Sequence, residues 1–256
     1  MKATPCLLIL ASLLAPVAAR ADSTQDCTAP AYLLTSESPL PKVAATIKAK
    51  QPLNILVVGS GSSGLSGPEG STASYPARLE AALRERLPGV GVTVTTELLP
   101  KKTAAEAAEM FDKLRDQQPA DRKPTLIIWQ TGTFDAVRSV DPDDFRTALT
   151  DGIAAVQRGG SDVLLMNLQY SPRMETMLAV ATYNDTMRVV ALERNVPLFD
   201  RFSIMRDWSD TGSFDLSGPS HGYGLARRVH DCIGRTLATL VIDAAHINPT
   251  EIGTGR

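Results

Sequence analysis

Residues 53–64 read LNILVVGSGSSG, an apolar run that ends in a loop of glycine and serine. A short apolar run closed by turn residues is typical of a buried strand in a parallel sheet. From about Ser74 the apolar residues recur at helical spacing, so that Tyr75, Leu79 and Leu83 share one face. The stretch therefore predicts a strand, a loop and a helix, which together begin a β-α-β unit.

The same alternation continues to the end of the chain. Further apolar or β-branched runs predict strands, and the segments between them carry helical spacing. We predict strands over 53–58, 90–99, 124–130, 163–168 and 196–199, and helices from about 74 and over 103–114, 141–157, 181–194 and 225–244. Five strands that alternate with five helices predict the α/β class, with a doubly wound parallel sheet.

The N-terminus has the pattern of a secretory signal peptide. A basic residue, Lys2, precedes an apolar stretch over 6–17, and Ala19-Arg20-Ala21 forms a small-residue cleavage site. The alternative is a buried helix or a membrane anchor, but the run is shorter than the ~20 residues that span a bilayer. We expect cleavage after Ala21 and a periplasmic or secreted protein.

The mature chain is then divided into three parts. Residues 22–50 form an arm with one short helix, residues 51–245 form the single domain, and residues 246–256 form a tail. The 26 basic and 28 acidic residues leave no basic excess that would track a nucleic acid backbone. We therefore expect no nucleic acid partner and no membrane span.

Two cysteines, Cys27 and Cys232, remain after the signal peptide is removed. In an oxidising compartment they predict one disulfide that ties the arm to the last helix, and the alternative is two buried free thiols. The sequence has no Cys-x-x-Cys and no His-x-x-x-His, and its three histidines all lie near the C-terminus. We predict no metal site.

The loop after the first strand admits three interpretations. Gly59, Gly61 and Gly64 fit the Gly-x-Gly-x-x-Gly dinucleotide fingerprint, but that motif needs a helix that begins at once and an acidic residue about 20 positions later. Here six residues without helical spacing follow Gly64, and Glu97 comes too late. The second interpretation is a nucleophile loop that offers serine hydroxyls and backbone N–H groups. The third is a flexible connection without chemistry.

Three stretches of sequence resemble the SGNH (GDSL-type) ester hydrolases. They are VVGSGSS at 57–63, ASYPARL at 73–79 and WQTGT at 129–133, and a further match is LQYSP at 168–172. The resemblance runs from about Cys27 to Leu240 and is closest to an exported branch with Gly-Ser-Ser in place of Gly-Asp-Ser. It implies a flavodoxin-like three-layer α/β/α sandwich and ester hydrolysis by a serine and a histidine, without a metal or an organic cofactor.

Carried onto this chain, the resemblance assigns roles to particular residues. Ser62 is the expected nucleophile if one residue is inserted, with Ser60 and Ser63 as alternatives, His221 is the expected base, and Asp215 orients it. The expected oxyanion and binding residues lie in the loops after the first and third strands: Gly59, Ser60, Gly61, Gln130, Gly132 and Thr133.

The chain departs from the family pattern at its chemical positions. Gly61 stands in the column of the family serine, Lys101 falls in the block that supplies an oxyanion glycine, and Phe134 replaces an asparagine donor. Five residues separate Asp215 from His221 where the family has two. His230 is the rival base, although its place at the edge of an apolar helix face favours a structural role.

Two functions follow from these patterns. The first is an exported ester hydrolase that acts on a small ester or an O-acylated carbohydrate. The second is a catalytically degenerate member that keeps the fold and cleft as a ligand-binding or envelope interaction module.

Overall fold

The computed structural model describes residues 27–67, 69–117, 119, 123–217 and 222–248. Within them, five parallel strands form one sheet in the order β2-β1-β3-β4-β5. The strands are β1 (Leu53–Gly59), β2 (Val92–Leu98), β3 (Leu126–Gln130), β4 (Asp162–Met166) and β5 (Leu198–Phe199). The predicted signal peptide lies outside the described residues.

Burial along the strands matches their place in the sheet. Every residue of β3 and β4 is buried, and β1 is buried except at Asn54, because these three strands are covered on both faces. The edge strand β2 instead leaves most of its side chains partly or fully exposed.

Helices cover both faces of the sheet. In chain order they are α1 (Pro41–Lys48), α2 (Gly70–Ala73), α3 (Tyr75–Arg86), α4 (Ala104–Ala108), α5 (Phe111–Asp116), α6 (Thr133–Val137), α7 (Pro142–Arg158), α8 (Pro172–Met177), α9 (Val180–Glu193), α10 (Arg201–Asp210) and α11 (Gly222–Ala244). Helix α3 packs on α11, while α7 packs on α4 and α9. The α/β class and the three-layer sandwich predicted from the sequence are confirmed.

The count of five helices is wrong. The helix predicted over 103–114 is two helices, α4 and α5, because the N–H of Met110 bonds the carbonyl of Ala107 and tightens the chain after one turn. Helix α10 was not predicted, although Asp200 caps it by accepting from the N–H of Ser203 at 3.0 Å. Aspartate is a common helix N-cap, so Asp200 was the residue from which the start of α10 could have been predicted.

The predicted disulfide is present between Cys27 and Cys232, with a Cα–Cα distance of 5.0 Å. It joins the arm to the last helix, as expected. The predicted short helix of the arm is α1, whose Val43 and Ile47 are buried. Among the described helices, none combines the length and the apolar character that crossing a membrane requires.

Candidate active site

The side chain of Gln130, the last residue of β3, joins the loops at the carboxyl edge of the sheet. Its Oε1 accepts a hydrogen bond from the N–H of Ser60 at 2.8 Å and from the hydroxyls of Ser60 and Ser63, each at 3.0 Å. Gln130 and Ser63 are buried, whereas Ser60 and Ser62 are half-buried. The loop after β1 is thus anchored to β3 by three hydrogen bonds.

These bonds fix the direction of the hydroxyl protons. A backbone N–H can only donate, so the Gln130 atom that faces Ser60 is the carbonyl oxygen. Ser60 and Ser63 each have one hydroxyl proton and give it to that oxygen. The Ser63 Oγ, 2.9 Å from the hydroxyl of Tyr75, therefore accepts from it, and the Ser60 Oγ accepts from Ser62 at 3.1 Å. The Ser62 proton consequently points at Ser60.

Two glycines let the loops approach this closely. A Cβ on Gly59 would collide with the hydroxyl of Ser63, so only glycine lets Ser63 fold back over the end of β1. Gly132 has φ +94°, and a Cβ there would lie 2.5 Å from the Cδ1 of Leu168. Both positions therefore require glycine for the shape of the site. Gly61, in contrast, has open space around it.

A small cleft opens between the two loops. About 10 Å³ is available in it to the centre of a water molecule, which is room for about one water. The loops after β1 and β3 and helix α4 line it. The lining residues are Val58, Gly59, Ser60, Leu99, Lys102, Ala107, Trp129, Gln130, Thr131, Gly132, Thr133 and Phe134. Most of the expected oxyanion and binding residues thus surround one cleft, and Ser62 lies one hydrogen bond away, beyond Ser60.

Three buried polar atoms of the cleft residues have no hydrogen-bond partner among the described residues. They are the Nε1 of Trp129, the Nε2 of Gln130 and the Oγ1 of Thr133. Buried polar groups are nearly always paired, so these three atoms are exceptions within the site.

Asp135 organises the loop after β3. Its carboxylate accepts from the N–H of Ala104 at 3.0 and 3.2 Å, and it also holds the N–H of Gly132. Burial raises the pKa of Asp135. The sequence analysis did not predict this contact between Asp135 and α4. An aspartate shortly after a predicted strand and a glycine turn was the available sign that its carboxylate fixes a loop.

Lys102 reaches the cleft from the start of α4. Thr103 and Glu106 form a capping box there, and Lys102 pairs with Glu106 at 3.1 Å. Lys101 adopts φ +63° in the preceding turn. Lys101, which departs from the family's oxyanion glycine block, thus lies in a left-handed turn, and the next residue, Lys102, lines the cleft.

The histidines differ in place. His230 lies on α11, is largely buried, and accepts from the N–H of Tyr75 through Nδ1 at 3.0 Å. Burial, with the nearby positive charge of Arg201, lowers its pKa to about 4. His221 lies outside the described residues, immediately before α11. Asp215, in the segment leading to it, accepts from the N–H of Ser217 at 3.1 Å and from its hydroxyl at 2.6 Å.

Tyr75 is a member of the site that the sequence pattern placed only on the buried face of a helix. Its hydroxyl reaches Ser63, and its pKa is raised by burial, an effect that the nearby Arg201 opposes. The guanidinium of Arg201 is fully buried, and burial lowers its pKa to about 10. The sequence pattern did not predict that Arg201, the first residue of α10, places its positive charge near Tyr75.

A dinucleotide does not fit this loop. The Gly-rich segment itself contains a 3₁₀ turn over Gly61–Ser63. The single-turn α2 follows it, and the first longer helix begins only at Tyr75. Its N-terminal N–H groups therefore do not follow the glycines as the fingerprint requires. In the described part of the chain, no three His, Cys, Asp or Glu side chains gather where they would hold a metal ion.

Residues 26–247 match the sequence model of the Non-GDSL lipase-like family. The chain belongs to this family. This family is of the SGNH/GDSL hydrolase type, as the resemblance of the sequence motifs implied. A search of curated proteins returned no match.

Solved structures with this fold include several esterases. AlinE4, an SGNH-hydrolase family esterase, is 25% identical, covers 68% of this chain and 86% of its own, and superposes with a TM-score of 0.52. TesA is 20% identical over 72% of this chain and 97% of its own, with a TM-score of 0.55. The acetylxylan esterase Axe2 from Geobacillus stearothermophilus, studied as a catalytic mutant, is 16% identical over 78% and 98%, with a TM-score of 0.55. The last two similarities concern the fold alone.

Proposed function

We propose that this protein hydrolyses short acyl esters at the carboxyl edge of its sheet. The anchoring of the serine loop to β3 through Gln130 carries this proposal. It sets Ser60 beside a cleft, with the half-buried Ser62 one hydrogen bond beyond it, at the edge where open α/β sheets bind ligands. Membership of a hydrolase family and the similarity to the esterase AlinE4 support the same chemistry.

In the proposed reaction the Ser62 hydroxyl turns from Ser60 to a base and attacks the acyl carbonyl carbon. His221 takes the proton, Asp215 orients the imidazole, and the proton then goes to the departing alcohol. Water then gives a proton to His221 as its oxygen attacks the acyl carbon. His221 returns that proton to the Oγ of Ser62 as the acyl–Ser62 bond breaks, which releases the acid and restores the serine. The negative oxygen of each tetrahedral intermediate is held by N–H groups of the serine loop.

The assay is release of nitrophenol from p-nitrophenyl acetate. We expect Ser62→Ala and His221→Asn to lower kcat by a factor on the order of 10³ or more. His230→Asn is the matched control, because the asparagine oxygen can replace Nδ1 as acceptor for the Tyr75 N–H. Turnover that survives Ser62→Ala, or that depends on His230 and not on His221, contradicts this mechanism.

A second candidate is ligand binding without turnover. It is favoured by the Ser62 proton, which points at Ser60, and by Phe134, which cannot donate a hydrogen bond. The described histidine nearest the loop, His230, is buried and engaged with Tyr75. A purified protein that binds short acids and turns over no ester favours this candidate.

We also propose that the protein works outside the cytoplasm. The Cys27–Cys232 disulfide supports this location, because disulfides persist in oxidising compartments. Mass spectrometry of the protein recovered from an extracytoplasmic fraction tests it. A mature N-terminus at Asp22 is expected, and an intact Met1 contradicts the proposal.

A further inference from the structure

Ser63 occupies the buried side of the serine loop, which comprises residues 60–64. Its exposed fraction is 0%, whereas the other two serines of the loop are half-buried, and it is absent from the described lining of the cleft. Its Oγ donates to the Oε1 of Gln130 at 3.0 Å and lies 2.9 Å from the hydroxyl of Tyr75, from which it accepts. The Ser63 hydroxyl is therefore engaged inside the protein both as a donor and as an acceptor.

The carboxamide of Gln130 is held in place through its oxygen. Its Nε2 has no hydrogen-bond partner among the described residues, so the bonds to Oε1 fix the direction of the group. They come from the N–H and the hydroxyl of Ser60 and from the hydroxyl of Ser63. Of these donors, Ser63 is held in turn by a residue outside the loop, Tyr75. The bond from Tyr75 also strengthens Ser63 as a donor, because hydrogen bonds in a chain polarise one another.

Tyr75 is itself fixed at both ends. Its exposed fraction is 0%, and it is the first residue of α3. Its N–H donates to the Nδ1 of His230 on α11 at 3.0 Å, and its hydroxyl reaches Ser63. A series of hydrogen bonds thus runs from the start of α3 through Ser63 to Gln130 at the end of β3. The same oxygen of Gln130 holds Ser60, whose Oγ accepts from the expected nucleophile.

We propose that Tyr75 is a positioning residue for the nucleophile. Its hydroxyl holds Ser63, which in turn fixes the oxygen of Gln130. That oxygen orients the hydroxyl of Ser60, the hydrogen-bond partner of Ser62. Ser63 serves as a link and not as a nucleophile. The catalytic effect of this contact rests on the proposed function, whereas the hold of Tyr75 on the loop does not depend on turnover.

The kinetic test removes the Tyr75 hydroxyl alone. Tyr75→Phe should lower kcat with p-nitrophenyl acetate by about two- to tenfold, the effect of one net hydrogen bond. KM should stay unchanged, because the described lining of the cleft includes neither Tyr75 nor Ser63. Ser63→Ala should lower kcat at least as much, and Tyr75→Phe added to it should have no further effect, because its partner is gone. Effects that multiply in the double variant overturn the proposal.

Tyr183→Phe is the matched control. Tyr183 is also buried, its hydroxyl donates to the carbonyl of Val140 at 2.6 Å, and it too is absent from the described lining of the cleft. The control therefore loses the same group and a comparable hydrogen bond, but from a contact outside the serine loop. We expect its kcat to equal that of the unaltered protein. If both variants lose kcat equally, a general loss of packing explains the result and the proposal fails.

Hydrogen exchange tests the hold on the loop without an ester. Mass spectrometry follows deuterium uptake in peptides that cover residues 60–64, where the N–H of Ser60 bonds Gln130 and the N–H of Ser63 bonds the carbonyl of Ser60. Tyr75→Phe should speed uptake there by about two- to tenfold, because the loop opens more often, and leave β1 unchanged. Unchanged uptake at residues 60–64 overturns the proposal.

The two measurements separate this proposal from the proposed function. If the unaltered protein hydrolyses no ester, the proposed function fails, and deuterium uptake alone decides whether Tyr75 holds the loop. If uptake rises in Tyr75→Phe while the kcat of an active enzyme stays the same, the contact serves only stability and the proposal is overturned.

Discussion

At the amino end of β4, Asp162 accepts hydrogen bonds from the N–H groups of Lys42 and Val43, at 2.8 and 3.0 Å, and so fixes the start of α1. Beside it, the hydroxyl of Ser161 donates to the carbonyl of Pro124 at 2.6 Å. At the carboxyl end of β3, Gln130 anchors a loop in the same way but keeps an unpaired Nε2. Both ends of the sheet use buried polar side chains for structure. The unpaired Nε2 of Gln130, however, lies at the carboxyl end, where parallel sheets bind ligands.

Replacing Gln130 by leucine should have the largest effect on this contrast. It removes the acceptor of three hydrogen bonds and leaves the N–H of Ser60 without a partner, at a cost of about 2–3 kcal/mol. Gln130→Glu keeps the acceptor and should cost much less at acid pH, where its buried carboxyl is protonated. Urea unfolding measures both. Equal losses for the two variants would show that the serine loop does not depend on this oxygen.

The amino end should respond differently. Asp162→Ala leaves two N–H groups of the first turn of α1 unpaired and should cost about 1–2 kcal/mol. Asp162→Asn, which keeps one oxygen, should lie in between. The site is at the other end of the sheet, so kcat with p-nitrophenyl acetate should not change. A loss of kcat that exceeds the loss of folded protein would mean that the two ends are coupled.

Asp135 predicts a smaller, pH-dependent effect. Burial raises the pKa of its carboxyl in the folded state above the ordinary value of 3.8. As the pH rises through the window that begins near 3.8, the unfolded chain releases this proton before the folded protein does. The wild-type free energy of unfolding therefore falls with rising pH relative to Asp135→Asn, which has no proton to release. Below that window the relative stability is constant.

Urea unfolding of both proteins from pH 4 to 7 measures the difference. Asp162 has a pKa raised in the same direction, but it is present in both proteins and cancels. A difference that grows in favour of the wild type as the pH rises would contradict the assigned direction.

The fold was predictable because the strands are continuous apolar runs. LNILVV at 53–58, bounded by glycine and serine, is typical of a strand at the centre of a parallel sheet. The break between α4 and α5 was not predictable, because the 103–114 segment has helical spacing throughout. A local hydrogen bond from the N–H of Met110 to the carbonyl of Ala107 divides it.

The site was predictable in part. Glycine and serine after a strand located the loop, and WQTGT at 129–133 located its counterpart. The hydrogen-bond partners were not predictable. The hydrogen bond between Gln130 and Ser60 depends on neighbouring strands, and the two residues are 70 apart in the chain. Tyr75 reaches Ser63 because the loop and α2 between them fold back on the end of β1. Such contacts arise from topology and not from local pattern.

The central claim is that Ser62, in the loop after β1, is the nucleophile, and covalent labelling tests it most directly. The purified mature protein is treated with a serine-directed phosphonate, digested and mapped by mass spectrometry, with Ser62→Ala treated in parallel. The account predicts one adduct, on Ser62, that is absent from Ser62→Ala. An adduct on Ser60 or Ser63, or no adduct in folded protein, would contradict it.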